Sequence, residues 1–565
     1  MREIKVRETP TDDERKEIGG YTELVSDLLF HRGIRNKTDA EKFLSPSYND
    51  HRHDPYALPD MEKAVERFLK AVKDNEQIGI FSDYDADGIP GAVMFQDFME
   101  RIFYDRFNIY IPHRHDEGYG LNRDALDELK EKGVTLLITI DCGIRDHEHV
   151  QYANSLGIDV IITDHHEQDE TLPLAFAVVN PKRKDSIYPF QGLCGTGVAF
   201  KFIEAVLQKD RLGLPDEHEK WFLDMVGLAT LSDMVPLVDE NRVFASYGLQ
   251  VLRKTQRPGL QMLYKNLRLP VKNLSEDDIG FMITPRINAA SRMSHPDDAF
   301  HLLATKDVTV ARERVAHIES INNERKGLVA SIVKETKKRL KKRDVPQVIV
   351  IGDPSWRPSV LGLVAGKLAE EFSRPAFVWG REGGEVIKGS CRTANGVSVI
   401  DIMENAREIF IDFGGHKEAG GFSIHTEKIF DAEKVLEESL TKLKQKKVEN
   451  ILYADRHLLL DEVHVRTVKD LAKLSPFGVG NEKPLFLLEK VKPISFKQFG
   501  KEKNHLEISF RTNDMRTVRA IGFFMTGDSL SKKISVDEPV DVLAHLEESF
   551  WNGRSEVRLR IVDCI

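Results

Sequence analysis

Three aspartates at alternating positions form the first group of residues that could do chemistry. Asp83, Asp85 and Asp87 lie in SDYDADG, and alternate residues of an extended segment point the same way, so their carboxylates can share one face. Like charges this close need a cation. Gly88 lets the chain turn toward a following helix, whose N-terminus favours an anion such as phosphate. A solvated acidic turn or a calcium loop is the alternative, but the later glycine and distal Glu of an EF-hand are missing. The segment therefore predicts metal binding.

Further acidic and imidazole groups follow other apolar runs. Asp141 follows TLLITI, Asp164-His165-His166 follows DVIIT, and Asp233 interrupts the apolar segment ATLSDMVPL. Asp141 could instead be a helix N-cap. Carboxylates and imidazoles without thiolates suit Mn²⁺ or Mg²⁺ better than structural zinc. Two such ions about 3.5–4 Å apart can activate water and neutralise a phosphodiester, so the set predicts hydrolytic phosphoryl chemistry.

The segments that must position these residues are predicted to be alternating strands and helices. From about residue 76, short β-rich runs (IGIF, TLLITI, DVIIT, AFAVVN) alternate with longer helical patterns, which predicts a mainly parallel sheet. Three of the runs lead directly into the polar segments. Ligands bind at the carboxyl ends of strands in such sheets, so we expect the three segments to meet in one crevice.

The rest of the chain divides into further regions. One long helical pattern between about 308 and 343 has Val308, Ala311, Val315, Ile318, Ile332 and Val333 on its apolar side. A second α/β region follows, and short alternating strands after the Lys-rich KLKQKK, with a turn at Asn552-Gly553, suit a small β-barrel such as an OB-fold. The predicted boundaries are an N-terminal extension (1–60), a catalytic domain (61–305), a connecting helix (306–344), a second domain (345–447) and a C-terminal barrel (448–565).

Composition narrows the class of protein. The chain has 565 residues with a formal net charge of −10, so any nucleic-acid site must be a local basic groove rather than a general positive coat. Four scattered cysteines form no Cys-x-x-Cys pair and are expected to be reduced. No apolar run is long enough for a membrane span, and the N-terminus has no secretory pattern, so we expect a cytoplasmic protein without membrane contact.

Several motifs together resemble the DHH phosphoesterase superfamily and, within it, the RecJ single-strand DNA exonucleases. The motifs cover nearly the whole chain: DYDADG (83–88), IPHRHDEGYGLN (111–122), TIDCG (139–143), DHH (164–166), SDMVPL (232–237), TPRINAASRM (284–293), GSCR (389–392) and FGGHKEAGG (413–421). The resemblance implies a parallel-sheet DHH domain, a linking helix, an α/β DHHA1 domain with the GGH motif and a terminal OB-fold. It also implies 5′ to 3′ degradation of single-stranded DNA to 5′-mononucleotides by two ions, in repair or recombination.

The resemblance also implies roles for individual residues. Those expected to bind metal are Asp83, Asp85, Asp87, Asp141, His165 and Asp233, with Asp141 as the bridge. Those expected near the scissile phosphate are His166, Arg286, Asn288 and His416. Arg114, Ser390 and Arg392 are candidates for a pocket between domains that holds a 5′-phosphate, because an arginine fork with hydroxyl donors suits that group. Each could alternatively be a packing, capping or surface ion-pair residue.

Some positions depart from the family pattern, and two other functions stay open. Phe81 stands where related pyrophosphatases and cyclic-dinucleotide phosphodiesterases have histidine, and Pro90, Ser291 and Arg357 differ from the usual RecJ motifs. The alternatives are a phosphodiesterase for short oligoribonucleotides or cyclic dinucleotides, and a non-catalytic replication scaffold. The C-terminal barrel weighs against the first and the intact Asp/His set against the second. Single-stranded DNA is the expected partner of a monomer, with a helicase or single-strand binding protein as further candidates.

Overall fold

The structure is a computed structural model of the chain. It describes residues 3–381, 386–394, 396–443, 451–500, 503–527, 530–551 and 554–565. The predicted Asn552-Gly553 turn, the end of the Lys-rich segment and the predicted boundary at 447/448 lie outside the described residues. In the described part of the chain, no helix is both long enough and apolar enough to cross a bilayer.

The first half of the chain forms a parallel sheet surrounded by helices. An N-terminal segment precedes it: β1 (Glu3–Val6), α1 (Asp12–Ile18), α2 (Glu23–His31) and α3 (Lys37–Leu44). The elements of the sheet domain are α4 (Met61–Lys73), β2 (Gln77–Ser82), α5 (Gly88–Arg101), β3 (Phe107–Tyr110), α6 (Arg123–Glu131), β4 (Val134–Ile140), α7 (His147–Ser155), β5 (Asp159–Thr163), β6 (Ala177–Val179), α8 (Gly195–Lys209), α9 (Leu223–Ser232), α10 (Asp239–Leu252), α11 (Pro258–Leu267), α12 (Thr284–Met293) and α13 (Asp297–Ala304).

The sheet topology places a crevice beside the acidic segments. The strand order is β3-β2-β4-β5-β6, and every pair is parallel, as the sequence predicts. The chain moves from β2 outward to β3 and then returns to place β4 on the other side of β2. This reversal leaves a ligand crevice at the carboxyl ends of β2 and β4. Asp83 and Asp141 follow those two strands directly.

A single long helix leads to the second domain. The predicted connecting helix is observed as α14 (Val308–Leu340), whose buried side includes Ala311, Val315, Ile318 and Ile332. Val308 was expected on the apolar side but is 48% exposed, because it begins the helix beyond the packed surface.

The second domain is a mixed sheet between two apolar layers. Its elements are β7 (Ile349–Gly352), α15 (Pro358–Phe372), β8 (Ala376–Gly380), β9 (Ile387–Arg392), α16 (Val399–Glu404), β10 (Phe410–His416), β11 (Ala419–Ile424) and α17 (Ala432–Lys442). The order is β10-β11-β9-β8-β7, with only β7 and β8 parallel. His416 and Arg392 both pair with Ala419 of β11 from opposite sides, so the GGH and GSCR motifs lie in one row across the sheet.

The C-terminal domain is a seven-stranded mixed sheet. Its elements are β12 (Ile451–Ala454), β13 (Arg456–His457), α18 (Val465–Ala472), β14 (Phe486–Val491), β15 (Pro493–Phe499), β16 (His505–Arg511), β17 (Thr517–Gly522), β18 (Val540–Trp551) and β19 (Arg554–Cys564). Seven strands pair in the order β13-β14-β18-β19-β17-β16-β15, and within the described residues no pairing joins the two edge strands.

The N-terminal segment packs on this C-terminal domain, which the sequence did not predict. Val25 and Leu28 of α2 share a hydrophobic core with Leu474 and Phe486, and β1 pairs with β12 in parallel. Buried Arg242 of α10 ties both ends to the sheet domain by donating to the carbonyls of Phe43, Leu474 and Ser475. The two ends of the chain and the parallel-sheet domain are therefore held together by direct contacts.

Candidate metal centre

The three polar segments begin at the same level of the sheet. The backbone N–H groups of Asp83, Asp141 and Asp164 each donate to the carbonyl of a residue on, or just beside, the end of the next strand, at 3.1, 3.0 and 3.2 Å. The strand hydrogen bonding therefore continues one residue into each polar segment. This common level brings the segments together, as the sequence predicts.

Asp141 has a backbone conformation that is unusual for a residue with a side chain. Its φ is +62°, in the left-handed region. Such conformations cost about 1–3 kcal/mol and persist where the surroundings fix them. Here the N-terminus of α8 packs so closely that a Cβ on Gly195 would lie 2.4 Å from Cβ of Asp141. Glycine at 195 is thus required by the position of Asp141.

The side chains form two groups, and a third set that contains Asp141 and His165 links them. His165 Nε2 lies 3.1 Å from Asp141 Oδ1, 3.9 Å from Asp87 Oδ2 and 3.8 Å from Asp233 Oδ2. Ligand atoms lie within 4.8 Å of one another in each of three sets: Asp87, His165 and Asp233; Asp83, Asp85 and Asp141; and Asp141, His165 and His166. This geometry offers two neighbouring cation positions with Asp141 between them.

The donor set fits cations because some of its carboxylate oxygens have no hydrogen-bond donor among the described residues. Asp83 Oδ1 and Asp141 Oδ1 are buried and accept no hydrogen bond from the described residues. Burial, followed by the neighbouring carboxylates, raises the pKa of Asp141 and of Asp233 well above the ordinary value, and raises the pKa of Asp87 to about 6. Bound cations would stabilise the ionised carboxylates.

His165 is prepared as a neutral ligand. Burial, and then the adjacent His166, lowers the pKa of His165 to about 3, so its imidazole is uncharged at neutral pH. A neutral imidazole nitrogen among carboxylate oxygens suits Mn²⁺ or Mg²⁺ chemistry with hard and borderline donors.

Asp87 is oriented by the helix that also packs on Asp141. Its carboxylate accepts from the backbone N–H groups of Gly195 (2.6 Å) and Thr196 (2.9 Å), at the N-terminus of α8. Asp85 Oδ1 instead accepts from the N–H of Asp87 at 2.7 Å and so shapes the acidic loop itself. This role of α8 was not predicted from the sequence, although the Gly-Thr-Gly at the start of the helix is a pattern typical of close backbone approach.

Asp164 and Tyr119 position His166. Asp164 Oδ1 accepts from the His166 N–H (3.1 Å) and lies 2.8 Å from His166 Nδ1, and the Tyr119 hydroxyl lies 3.1 Å from that same Nδ1. Burial lowers the pKa of His166, but the hydrogen bond with Asp164 outweighs it, and the pKa is raised. Nδ1 is thus engaged, and Nε2 is the ring nitrogen left for a ligand. Neither Tyr119 nor this orienting role of Asp164 was predicted.

Asn288 and Arg286 of α12 contact the site through other residues. Asn288 Oδ1 accepts from the N–H of Ala86 at 2.9 Å and supports the acidic loop. The buried guanidinium of Arg286 pairs with Glu319 of α14 and donates to the Met282 carbonyl at 2.6 Å. Arg286 therefore fixes α12 against the long helix.

The residues predicted to hold a 5′-phosphate lie among several arginines. Arg392 donates to the Cys391 carbonyl at 2.7 Å, and Arg292 donates to the Ser359 carbonyl at 2.7 Å. Burial, followed by the charges of Arg114, Arg325 and Arg392, lowers the pKa of Arg292 to about 9. The hydrogen bond from Arg292 to Ser359 joins the first domain to the second, so positive charge lies at the contact between the domains and would attract an anion.

Arg114 and Ser390, also predicted for the 5′-phosphate pocket, are half-buried, and His416, predicted near the scissile phosphate, is exposed. Arg114 stacks over the ring of Tyr84 with 4.8 Å from Cζ to the ring centre. Ser390 is half-buried on β9, and His416 is exposed at the end of β10.

The departures from the family pattern leave the metal groups intact. Phe81 is buried and stacks on Tyr110 with 5.5 Å between ring centres. Pro90 lies in the first turn of α5, where a proline removes no helical hydrogen bond. Ser291 is buried in α12, and Arg357 immediately precedes α15.

Comparison with known proteins decides the family. The DHH family N-terminal domain matches residues 77–230, the DHHA1 domain matches 345–442, and the RecJ OB domain matches 454–563. The single-stranded-DNA-specific exonuclease RecJ of Bacillus subtilis is 34% identical over 545 residues, which cover 96% of this chain and 68% of the relative. The chain belongs to the RecJ family.

Solved RecJ structures agree with this membership. The crystal structure of Thermus thermophilus RecJ in complex with Mn²⁺ matches with a TM-score of 0.83 and 26% identity, covering 100% of this chain and 79% of that chain. The Mg²⁺ complex from the same organism matches with a TM-score of 0.77 and 25% identity, covering 100% and 78%. These matches confirm the prediction that this chain contains a DHH domain, a DHHA1 domain and an OB domain, in that order.

We predict that Gly195→Ala weakens Mn²⁺ binding about tenfold or more, because the added methyl group displaces Asp141 and residues that orient metal ligands typically contribute that much. Isothermal titration calorimetry measures the affinity. Gly197→Ala on the same helix is the matched control, since its Cβ would meet Cys194 Sγ at an ordinary 3.5 Å. Equal Mn²⁺ affinities for the two variants would contradict the proposed dependence on close packing at Asp141.

Proposed function

We propose that this RecJ family member is an exonuclease that removes nucleotides from the 5′ end of single-stranded DNA. The observation that carries the proposal is the pair of ligand groups joined at Asp141 and His165 on the crevice of the parallel sheet. Six residues would hold two Mn²⁺ or Mg²⁺ ions: Asp83, Asp85, Asp87, Asp141, His165 and Asp233. The names of the relatives support the substrate, since they are single-stranded-DNA-specific exonucleases.

The reaction is hydrolysis of a phosphodiester. The two ions, when bound, supply Lewis acidity toward the phosphate oxygens and a nucleophilic water at neutral pH. The oxygen of water joins the phosphorus atom, and the bond from phosphorus to the 3′ oxygen of the terminal nucleotide breaks. The released product is a 5′-mononucleotide, and the shortened strand keeps a 5′-phosphate for the next cycle.

His166 would contact the substrate phosphate. Asp164 and Tyr119 hold its Nδ1, so Nε2 can donate a hydrogen bond to a nonbridging oxygen. A charge-assisted hydrogen bond of this kind stabilises the charge that develops on phosphate oxygens in the transition state.

Residues of α12 and β10 would complete the site in different ways. Asn288 keeps the acidic loop in place through Ala86, and Arg286 acts by positioning α12, because Glu319 already occupies its guanidinium. His416 is exposed on the DHHA1 domain and is free to approach phosphate across the cleft.

A pocket between the domains would set the polarity. Arg114, Ser390 and Arg392 provide guanidinium and hydroxyl donors for a terminal 5′-phosphate, and Arg292 adds a further positive charge. An arginine fork matches the geometry of a phosphate monoester, which carries more charge than an internal diester. The pocket would therefore select the 5′ end.

The alternative functions have less support. A phosphodiesterase for short oligoribonucleotides or cyclic dinucleotides has no evident need of the RecJ OB domain at 454–563. A non-catalytic replication scaffold would not retain the buried, uncompensated carboxylates of the metal groups. Action in repair or recombination, a helicase or single-strand binding partner, a monomeric state and a cytoplasmic location stay predictions.

Asp141→Asn is expected to reduce hydrolysis of single-stranded DNA below a tenth of wild type, because it removes a negative charge that lies between the two proposed cation positions. A tenfold loss corresponds to about 1.4 kcal/mol of transition-state stabilisation. Strand binding without metal should change little. End-labelled DNA with Mn²⁺ and electrophoresis of the products measure the rate. Asp105→Asn on the exposed surface is the control. Activity above a tenth in the Asp141 variant would refute the assignment.

The phosphate pocket makes a separate prediction. Strands with a 5′-phosphate should be degraded faster than strands with a 5′-hydroxyl, and Arg392→Ala should remove this difference without changing Mn²⁺ affinity. Lys388→Ala is the matched control, since Lys388 is an exposed cation on the same strand β9. Initial rates on the two strands give the ratio. A wild-type enzyme that ignores the 5′ group, or starts equally well from a 3′ end, would show that the pocket is misassigned.

A further inference from the structure

One loop of the DHH domain carries residues of two different parts of the site. Residues 111–122, which we call the tyrosine loop, lie between β3 and α6. Arg114, a candidate for the 5′-phosphate pocket, lies near the start of the loop. Further along, the Tyr119 hydroxyl donates to the Asp141 carbonyl at 3.1 Å and lies 3.1 Å from His166 Nδ1. The conformation of this loop therefore sets the position of the phosphate pocket relative to His166.

Glu117 joins both ends of the tyrosine loop. Its carboxylate accepts hydrogen bonds from the Tyr110 hydroxyl (2.6 Å), the backbone N–H of His113 (2.5 Å) and the Asn122 side-chain amide (3.1 Å). Tyr110 is the last residue of β3 and Asn122 caps α6, so this carboxylate connects the strand, the helix and the residue that precedes Arg114. The side chain thus fixes the loop between the two elements that flank it.

Asp146 holds the far end of the tyrosine loop from outside it. It occupies the N-cap position of α7, where an aspartate usually accepts a hydrogen bond from the first turn of its own helix. Among the described residues its side chain accepts no bond from that turn, and Asp146 Oδ2 instead accepts from the backbone N–H of Leu121 at 2.9 Å. A Cβ on Gly120 would lie 2.7 Å from the same oxygen, so the loop packs directly against this carboxylate.

The backbone of the loop does not fix the tyrosine by itself. Tyr119 stands between Gly118 (φ +84°) and Gly120 (φ +83°), two positions at which glycine tolerates many conformations. Burial does not fix the side chain either, since Tyr119 is 50% exposed. The hydrogen bonds of Glu117 and Asp146 on either side of these residues therefore select one conformation.

We propose that Glu117 and Asp146 are positioning residues that couple recognition of the 5′ end to hydrolysis. They hold Arg114 and Tyr119 in one loop conformation, so a terminal phosphate that binds Arg114 favours the conformation in which Tyr119 engages His166. Binding energy from a part of the substrate that does not react would then raise the rate of the chemical step. This inference rests on the proposed function and deepens it by naming the residues through which the terminal phosphate affects catalysis.

The hydroxyl of Tyr119 gives the first test of this coupling. Wild type should show a kcat about tenfold higher on a strand with a 5′-phosphate than on one with a 5′-hydroxyl, since residues around a metal site typically contribute that much. Tyr119→Phe should slow the phosphorylated strand to the rate of the other. Tyr152→Phe is the matched control, because its hydroxyl bonds to Asp127 on the exposed surface. Equal kcat values in wild type, or an equal loss on both strands in Tyr119→Phe, would overturn the coupling.

Asp146→Ala removes the acceptor for the Leu121 N–H and should lower kcat on the phosphorylated strand about tenfold, while KM changes less than about twofold. Asp146→Asn keeps an acceptor oxygen and should restore kcat. Glu148→Ala, which removes an exposed carboxylate from the first turn of the same helix, is the matched control. Melting temperatures show that each variant is folded. An Asp146→Asn variant as slow as Asp146→Ala would contradict a role for the hydrogen bond to the loop.

A double-mutant cycle separates positioning from a general loss of structure. In a Tyr119→Phe background, Asp146→Ala should cause no further loss of kcat, because it acts through the Tyr119 hydroxyl. Glu117→Ala should remove the kcat difference between the two strands, as Tyr119→Phe does. Additive losses in the cycle, or a kcat difference that persists in Glu117→Ala, would overturn the proposal.

The crystal structure of Asp146→Ala gives a readout that does not depend on activity. The Tyr119 hydroxyl should move away from His166 Nδ1, and an unchanged separation of 3.1 Å would overturn the proposal. Absence of hydrolysis in wild type would instead count against the proposed function.

Discussion

Several buried carboxylates lie close together at one edge of the parallel sheet, and the surrounding residues of this domain must offset their mutual repulsion. Two unit charges a few ångströms apart interact strongly where water is excluded. The fold compensates part of the charge itself: the N-terminus of α8 donates to Asp87, and backbone N–H groups donate to Asp164. Among the residues that the structure describes, no group donates to Oδ1 of Asp83 or to Oδ1 of Asp141, so these are the atoms that need a cation. This arrangement of carboxylates is that of a metal-binding site and not only that of an acidic cluster.

Positively charged arginine side chains lie at the contact between the DHH and DHHA1 domains. The charges of Arg114 and Arg392 act on Arg292 and lower its pKa, and the hydrogen bonds of Arg292 and Arg392 go to carbonyl groups, which carry no full negative charge. Half-buried guanidinium groups that bond to carbonyl groups can still pair with an anion. A phosphate chain that spans the cleft would satisfy both sides, with one phosphate between the metal ligands and the terminal one among the arginines.

Much of the site could be predicted because it depends on local pattern. The position of Asp141 directly after an apolar run indicates its level in the sheet. The alternation of Asp83, Asp85 and Asp87 predicted one shared face of an extended segment, which is wrong: the segment forms a bend and a turn, so Asp87 groups with His165 and Asp233 while Asp83 and Asp85 group with Asp141. The parallel sheet and the long helix followed from the periods of their apolar residues. The family motifs added roles that spacing alone could not supply.

The features that the sequence did not predict depend on contacts between residues far apart in the chain. Nothing in α12 indicates that Arg286 pairs with Glu319, and nothing in the first helices indicates that Val25 packs beside Phe486. Tyr119 was visible only as part of a motif, because its role requires the loop to fold back onto His166. Pairing specificity of this kind comes from the three-dimensional packing, which hydrophobic periodicity does not encode.

Two cations held at one edge of the sheet are central to this mechanism, and anomalous scattering from crystals grown with Mn²⁺ tests their presence most directly. Data collected at the manganese edge should show two peaks about 3.5–4 Å apart, one among Asp83, Asp85 and Asp141 and the other among Asp87, His165 and Asp233. A single peak, or peaks that avoid Asp141, would contradict the account.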